Sequence, residues 1–317
     1  MDAMDAMNAM KAMDAMDTIV SLLSDYTFQT VALGSALLGV ISGVLGSYAV
    51  LRRQSLLGDG VSHAALPGVV MAFLLTGSKN TEVLLLGALL TGLAATFLIT
   101  RIVRHSRIRF DSALALVMSV FFGLGLVLLT YSQKIPNANQ AGLKRFIYGQ
   151  ASTILQRDVV LMAVCGVVIL LIVILFWKEF KLFSFDSEFA ETIGFGTGIL
   201  NLLLSLLIVL AIIVGLETVG VVLMSAMLIA PAVAARQWSN RLWLMVVLAA
   251  VFGAASGVAG TLLSSAAPGV PTGQVIVVCV TAITVFSLLF APQRGILHRI
   301  YLRRMNRIRL KLEGGPV

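Results

Sequence analysis

Charge is scarce in this sequence. Of its 317 residues, 12% are Asp, Glu, Lys or Arg, about half the share of an ordinary soluble domain. That shortage argues against a soluble enzyme and against a disordered chain. Cysteine is rarer still: Cys165 and Cys279 both sit inside apolar runs, so there is no disulfide framework. No Gly-x-x-x-x-Gly-Lys-Ser/Thr loop occurs. The stretch Gly194-Phe-Gly-Thr-Gly198 has the glycines but neither the lysine nor a preceding soluble strand. There is no Ser/His/Asp set, no His-Glu-x-x-His and no pair of inner carboxylates, so an intramembrane enzyme has no support. No secretory leader is evident either, because the first apolar run is too long and lacks a basic start.

What remains is apolar. Hydrophobic residues make up 59% of the chain and the mean hydropathy is +0.99. No water-soluble core could hide that much surface, so the expected solvent is lipid. Nine runs are long enough to cross a bilayer: 29–51, 58–76, 83–103, 112–131, 159–177, 198–214, 219–235, 242–263 and 274–290. Asp59, His63 and Pro67 interrupt the second. The sixth and seventh are short and separated only by 215–218, so eight spans with one broken or re-entrant element is the alternative. The fold class is therefore an all-α, polytopic transmembrane helix bundle of 8–9 spans. Residues 1–28 form a leader, 29–291 the spanning domain and 292–317 a basic tail.

The basic residues support this division. If successive loops alternate sides, seventeen Lys and Arg fall on one side: Arg52, Arg53, the four arginines of 101–109, Lys178, Lys181, Arg236, Arg241 and seven in the tail. Six fall on the other: Lys11, Lys79, Lys134, Lys144, Arg145 and Arg157. Cytoplasmic loops keep the positive charge, which puts the N-terminus outside and the C-terminus in the cytoplasm. The net charge of +8 is then a matter of orientation and implies no nucleic acid. The leader repeats Met-x-Ala with period three and holds six of the 13 methionines. Thioether ligands favour Cu(I), but a period of three holds no helix face. The segment reads instead as a low-complexity end, with a start codon downstream of it as one account of its presence.

Charged residues inside spans are costly and informative. Asp59 and His63 lie four apart, on one face of a helix. A carboxylate and an imidazole there make a two-ligand half-site that suits Mn(II), Fe(II) or Zn(II). The plainer reading is a structural Asp–His hydrogen bond, with Asp59 offsetting the helix dipole. Gly60, Pro67 and Gly68 favour an irregular helix beside a cavity, where backbone oxygens also coordinate ions. Glu217 reads as a solvated interface residue, Met224 and Met227 as core rather than pathway, and His105 and His298 as surface residues. Gly39-Val-Ile-Ser-Gly43 and Gly253-Ala-Ala-Ser-Gly257 match small-x-x-x-small spacing and indicate close helix packing. In 183–194, aromatic, small and acidic residues recur at helical spacing. This is either a short amphipathic helix that docks in a partner's groove or an interfacial helix lying on the bilayer.

The stretch Leu51-Arg-Arg-Gln-Ser-Leu-Leu-Gly-Asp-Gly-Val-Ser-His-Ala-Ala-Leu-Pro-Gly68 resembles the hallmark of bacterial ABC importer permeases for manganese, zinc and iron. Phe146-Ile-Tyr-Gly149, the segment 186–194 and the run from Val219 to Ala235 resemble that family in the same order. The resemblance runs from about Leu33 to Leu289. It implies a subunit of the bacterial cytoplasmic membrane that pairs with a second copy and with cytoplasmic ATPase subunits, and receives its ion from an extracytoplasmic metal-binding protein. It implies Asp59 and His63 as metal ligands, and a coupling helix over 184–195 with Glu188, Ala190, Glu191 and Gly194 as ATPase contacts. The permease then carries no catalytic site and no resident cofactor. Its cargo is expected to be Mn(II), with Zn(II) or Fe(II) as alternatives. The competing class, a self-sufficient secondary metal transporter, lacks the paired broken helices such folds show. A structural or receptor membrane protein would leave the Asp–His face without a role.

Overall fold

A computed structural model describes residues 25–77, 80–134, 154–266, 270–298, 300 and 305. The leader, the Phe146–Gly149 motif and most of the basic tail lie outside those residues. So do the side chains of Glu217, Thr218, Val221 and Val222. Among the described residues the chain is helical and has no strand. In chain order the helices are α1 (Tyr26–Leu51), α2 (Leu57–Ala64), α3 (Leu66–Thr76), α4 (Thr81–His105), α5 (Phe110–Ser132), α6 (Gln156–Leu175), α7 (Trp177–Phe185), α8 (Ser187–Thr192), α9 (Thr197–Val219), α10 (Val221–Trp238), α11 (Leu242–Ala266) and α12 (Thr272–Phe290).

Eight of these elements, counting α2 and α3 as one span, are long and apolar enough to cross a membrane. Contacts at the helix ends sort them into two sets. At one end the Tyr26 hydroxyl donates to Gln156 Oε1 at 3.0 Å, and Arg157 pairs with Glu82. The starts of α1, α4 and α6 therefore lie together. At the other end Arg52, Arg104, Phe110, Glu188 and Asn201 line one cavity. This gathers the ends of α1 and α4, the start of α5, all of α8 and the start of α9. The helix α10 also runs the full way. Its first turns lie near Gly273 at the head of α12, and just past its end Asn240 accepts from Arg294 Nη2 at 2.8 Å. The described bundle thus holds eight long apolar spans, with α10 running beside them from the head of α12 to its far end.

The boundary between the sixth and seventh runs is not at 215–218. Helix α9 continues through that stretch, and the break falls at Gly220, with φ 82° and ψ 171°. Only glycine adopts that conformation readily. Gly215 is a glycine for another reason: a Cβ there would strike the Met224 side chain and Leu38. The fifth run also ends early. Phe176 interrupts it, and 177–185 forms the separate helix α7.

The centre of the bundle is a seam of small residues. A Cβ on Gly39 would fall on the backbone of Gly253, one on Gly43 on that of Ala249, and one on Gly257 on that of Ser35. The two small-x-x-x-small motifs therefore pack against each other within one chain, antiparallel, joining α1 to α11. Gly46 meets the Leu228 carbonyl of α10 in the same way, and Gly68 of α3 meets Gly87 of α4. Lipid offers no hydrophobic drive between helices, so close van der Waals approach of this kind supplies the cohesion. Met224 and Met227 are buried in the core, as expected. The outward faces of α4, α5 and α6 expose Leu86, Leu90, Val120, Leu124, Val167 and Leu171, apolar side chains that suit a lipid surround.

Candidate functional site

Helix α2 is eight residues long and starts at a sharp corner. The Arg52 N–H donates to the Tyr48 carbonyl and ends α1. Arg53 then takes φ 57°, the left-handed conformation that a non-glycine residue seldom adopts. Gln54 reaches back to the Ala49 carbonyl at 2.9 Å. The corner delivers Asp59 into the first turn of α2, where a carboxylate is favoured by the helix dipole. Pro67 opens α3 within its first two positions and has no N–H, so the His63 carbonyl lacks its usual i+4 donor.

Asp59 and His63 face the same way. His63 Nε2 lies 3.6 Å from Asp59 Oδ1, and both side chains are partly exposed. That separation is beyond a hydrogen bond but within ion-pair range when His63 is protonated. It is close to the ligand–ligand edge of a small divalent ion, about 3.0–3.4 Å for metal–ligand distances near 2.1 Å. The His63 ring meets the edge of Phe122 on α5, with centroids 4.7 Å apart and planes at 75°. Its Nδ1 is buried with no hydrogen-bond partner among the described residues. Packing, not an orienting carboxylate, holds this imidazole. Among the described residues no group of three or more His, Cys, Asp or Glu is placed to hold a metal ion.

Two glycines put α2 where it is. A Cβ on Gly58 would press on Leu228 of α10, and one on Gly60 on Leu114 of α5. Phe122, Leu114 and Leu228 are neighbours of the pair that sequence reasoning missed. They lie on other helices, and no local signal marks them.

The segment 184–195 forms the end of α7, the single turn-and-a-half of α8 and a tight exit. Asp186 caps α8, its Oδ1 accepting from the Phe189 N–H at 2.9 Å. Gly194 closes the turn with φ 96°, and the Phe195 N–H returns to the Ala190 carbonyl. Glu188, Glu191 and Gly194 are exposed, together with Phe185, Phe189 and Ile193. Ala190 is fully buried. Its small side chain is covered by the bundle, and the remaining three of the four named positions are exposed.

Beside α8 lies a cavity of about 410 Å³, lined by Arg52, Arg104, Glu188, Glu191, Thr197 and Asn201 among others. Arg52 Nη2 donates to Asn201 Oδ1 at 2.7 Å, and its guanidinium lies 4.3 Å over the Phe183 ring. Burial pushes its pKa down to about 10, so it remains a cation at neutral pH. The sequence shows Arg52 and Arg53 only as a basic pair and cannot say which one is buried.

Comparison with known proteins agrees with this fold. The model of the ABC 3 transport family matches residues 24–291. The zinc transport system membrane protein TroC of Treponema pallidum is 52% identical over 94% of this chain and 99% of its own length. The manganese transport system membrane protein MntC of Bacillus subtilis is 49% identical over 88% of this chain and 64% of its own length. A solved structure of PsaBC from Streptococcus pneumoniae in complex with Fab superposes with a TM-score of 0.76 at 29% identity, over 88% of this chain and 97% of that one. The match spans nearly the whole described bundle, including the Asp59–His63 helix and the α7–α8 hairpin. The chain is a multi-pass protein of the inner membrane and belongs to the ABC 3 transport family.

Proposed function

We propose that this chain is the membrane-spanning permease of an ATP-driven importer of a divalent transition metal, with Mn(II) as its cargo, and that Asp59 and His63 form its intramembrane half-site. The observation that carries the reading is the partly exposed Asp59–His63 pair on one face of α2, with ligand atoms 3.6 Å apart. The relatives named for manganese and zinc transport support the cargo class. Oxygen and nitrogen donors suit Mn(II), Zn(II) and Fe(II) alike.

In this reading the seventeen-residue basic side is cytoplasmic. An extracytoplasmic binding protein releases the ion at the opposite end. Asp59 and His63 replace part of its hydration shell, and a second copy of the chain supplies a second pair near a two-fold axis. A ligating imidazole is usually fixed by a hydrogen bond from its other nitrogen. Among the described residues His63 Nδ1 has no such partner, which keeps affinity moderate, as a pathway needs if it is to release what it binds. A separate cytoplasmic ATPase docks on α7–α8 through Glu188, Glu191 and Gly194, and its closure opens the inner side.

The test is uptake of radioactive Mn(II) by cells carrying Asp59→Asn or His63→Ala at unchanged membrane expression. Each variant is expected to lose at least about tenfold, since losing even an outer-shell partner of a metal ligand costs that much. Normal uptake by both would remove the ligand assignment. Uptake that persists after the partner ATPase is inactivated would favour a self-sufficient transporter.

A further inference from the structure

We propose that Arg52 is a positioning residue that couples the α7–α8 hairpin to the helix carrying Asp59 and His63, its unpaired Nη1 taking a carboxylate of α8 when the hairpin is driven toward the bundle. The proposal rests on the permease reading above and goes beyond it. It assigns a role to a residue that touches neither cargo nor partner.

Arg52 is tied to three elements at once. Its backbone ends α1, its Nη2 is bonded to Asn201 of α9, and its guanidinium rests on Phe183 of α7. Five residues on, α2 begins. The corner between them is held by Arg53 in a left-handed conformation, which a non-glycine residue keeps only when its surroundings impose it. A displacement of Arg52 is therefore passed to α2 instead of being absorbed in a slack loop.

The joint is also incompletely satisfied. Eight buried side-chain atoms lack a hydrogen-bond partner among the described residues. Four of them, Tyr48 Oη, Arg52 Nη1, Glu179 Oε2 and Ser184 Oγ, belong to the end of α1 or to α7. Folded proteins rarely leave such atoms unpaired, so their concentration at one joint marks an arrangement with a better-bonded alternative. Alongside lies the cavity of about 410 Å³, with Arg52 and Arg104 facing Glu188 and Glu191 of α8. Its lining thus holds charges of both signs, and no ion pair among the described residues joins them. Moving α8 inward would shorten those distances and exclude water, and both changes strengthen the attraction. The cavity gives room for that stroke.

The experiment uses the full chain co-reconstituted with its ATPase subunit in liposomes, with Mn(II) as the probe. Arg52→Gln is expected to hydrolyse ATP within twofold of the unaltered assembly while moving at least tenfold less metal per ATP. Closure is read separately, in a chain with Cys165 and Cys279 replaced by serine. A cysteine pair placed at Ser187 and Thr100, both lining the cavity, should cross-link under a short reagent in the vanadate-trapped state and not in the resting state. Arg52→Gln should abolish that difference. Equal cross-linking in both states, or an Arg52→Gln assembly that moves as much metal per ATP as the unaltered one, overturns the assignment. Loss of ATP hydrolysis and transport together, with a lowered unfolding temperature, also overturns it, because that is the mark of a merely structural arginine. If the unaltered assembly shows no ATP-dependent metal uptake, the proposed function itself fails.

Discussion

Helices α1 and α5 are both long, apolar and membrane-spanning, yet they sit in the bundle in opposite ways. Most of the spanning window of α1 is buried, 72%, against 22% for α5. The glycines of α1 at 39, 43 and 46 face the backbones of other helices, whereas Gly123 of α5 faces nothing within 4 Å. One helix is locked backbone to backbone, and the other leans on the bundle through side chains such as Leu114 and Phe122. Between the two kinds of packing lies α2, with Gly58 turned to Leu228 of α10 and Gly60 to Leu114 of α5. The Asp59–His63 pair thus stands at the border of a rigid half and a yielding half.

The contrast can be broken most forcefully in the seam. Gly39→Leu would drive a side chain into the Gly253 backbone and is expected to destabilise the protein by about 3 kcal/mol or more, read as a fall in unfolding temperature in detergent. If that variant unfolds like the unaltered chain, the seam is not what holds α1 to α11. Gly220→Ala tests the α9–α10 break, where φ is 82°. A Cβ there should cost on the order of 1–3 kcal/mol, and an unchanged unfolding temperature would mean the break is relaxed. Phe122→Ala probes the yielding side. It should loosen the His63 ring and reduce uptake by less than His63→Ala does, with nearly unchanged stability; an uptake loss equal to that of His63→Ala would give Phe122 a larger part. The smallest effect belongs to Gly123→Leu, which enters open space and should stay within about 0.5 kcal/mol. A larger loss would show that this face of α5 is covered in the assembled protein.

Much of this architecture was legible in the sequence because lipid imposes few options: long apolar runs become helices. The Asp59–His63 face followed from four-residue spacing alone. The break at Gly220 did not. Gly215 and Gly220 look alike in sequence, and only tertiary packing makes one a contact and the other a turn. Nor could periodicity reveal that Phe122 would meet His63, since the two lie on helices 59 residues apart in the chain. Arg52 and Arg53 share a chemistry and an address. The burial that distinguishes them is decided by Phe183 and Asn201, more than a hundred residues away.

The seam between α1 and α11 has a consequence of an electrical kind. A membrane holding 100 mV drives each elementary charge with about 2.3 kcal/mol, and a file of water between two helices would let that force run down. Where Gly39 meets Gly253 and Gly43 meets Ala249, the backbones are too close for such a file to form. The same contact that gives the bundle its spine also leaves no room for such a file along it.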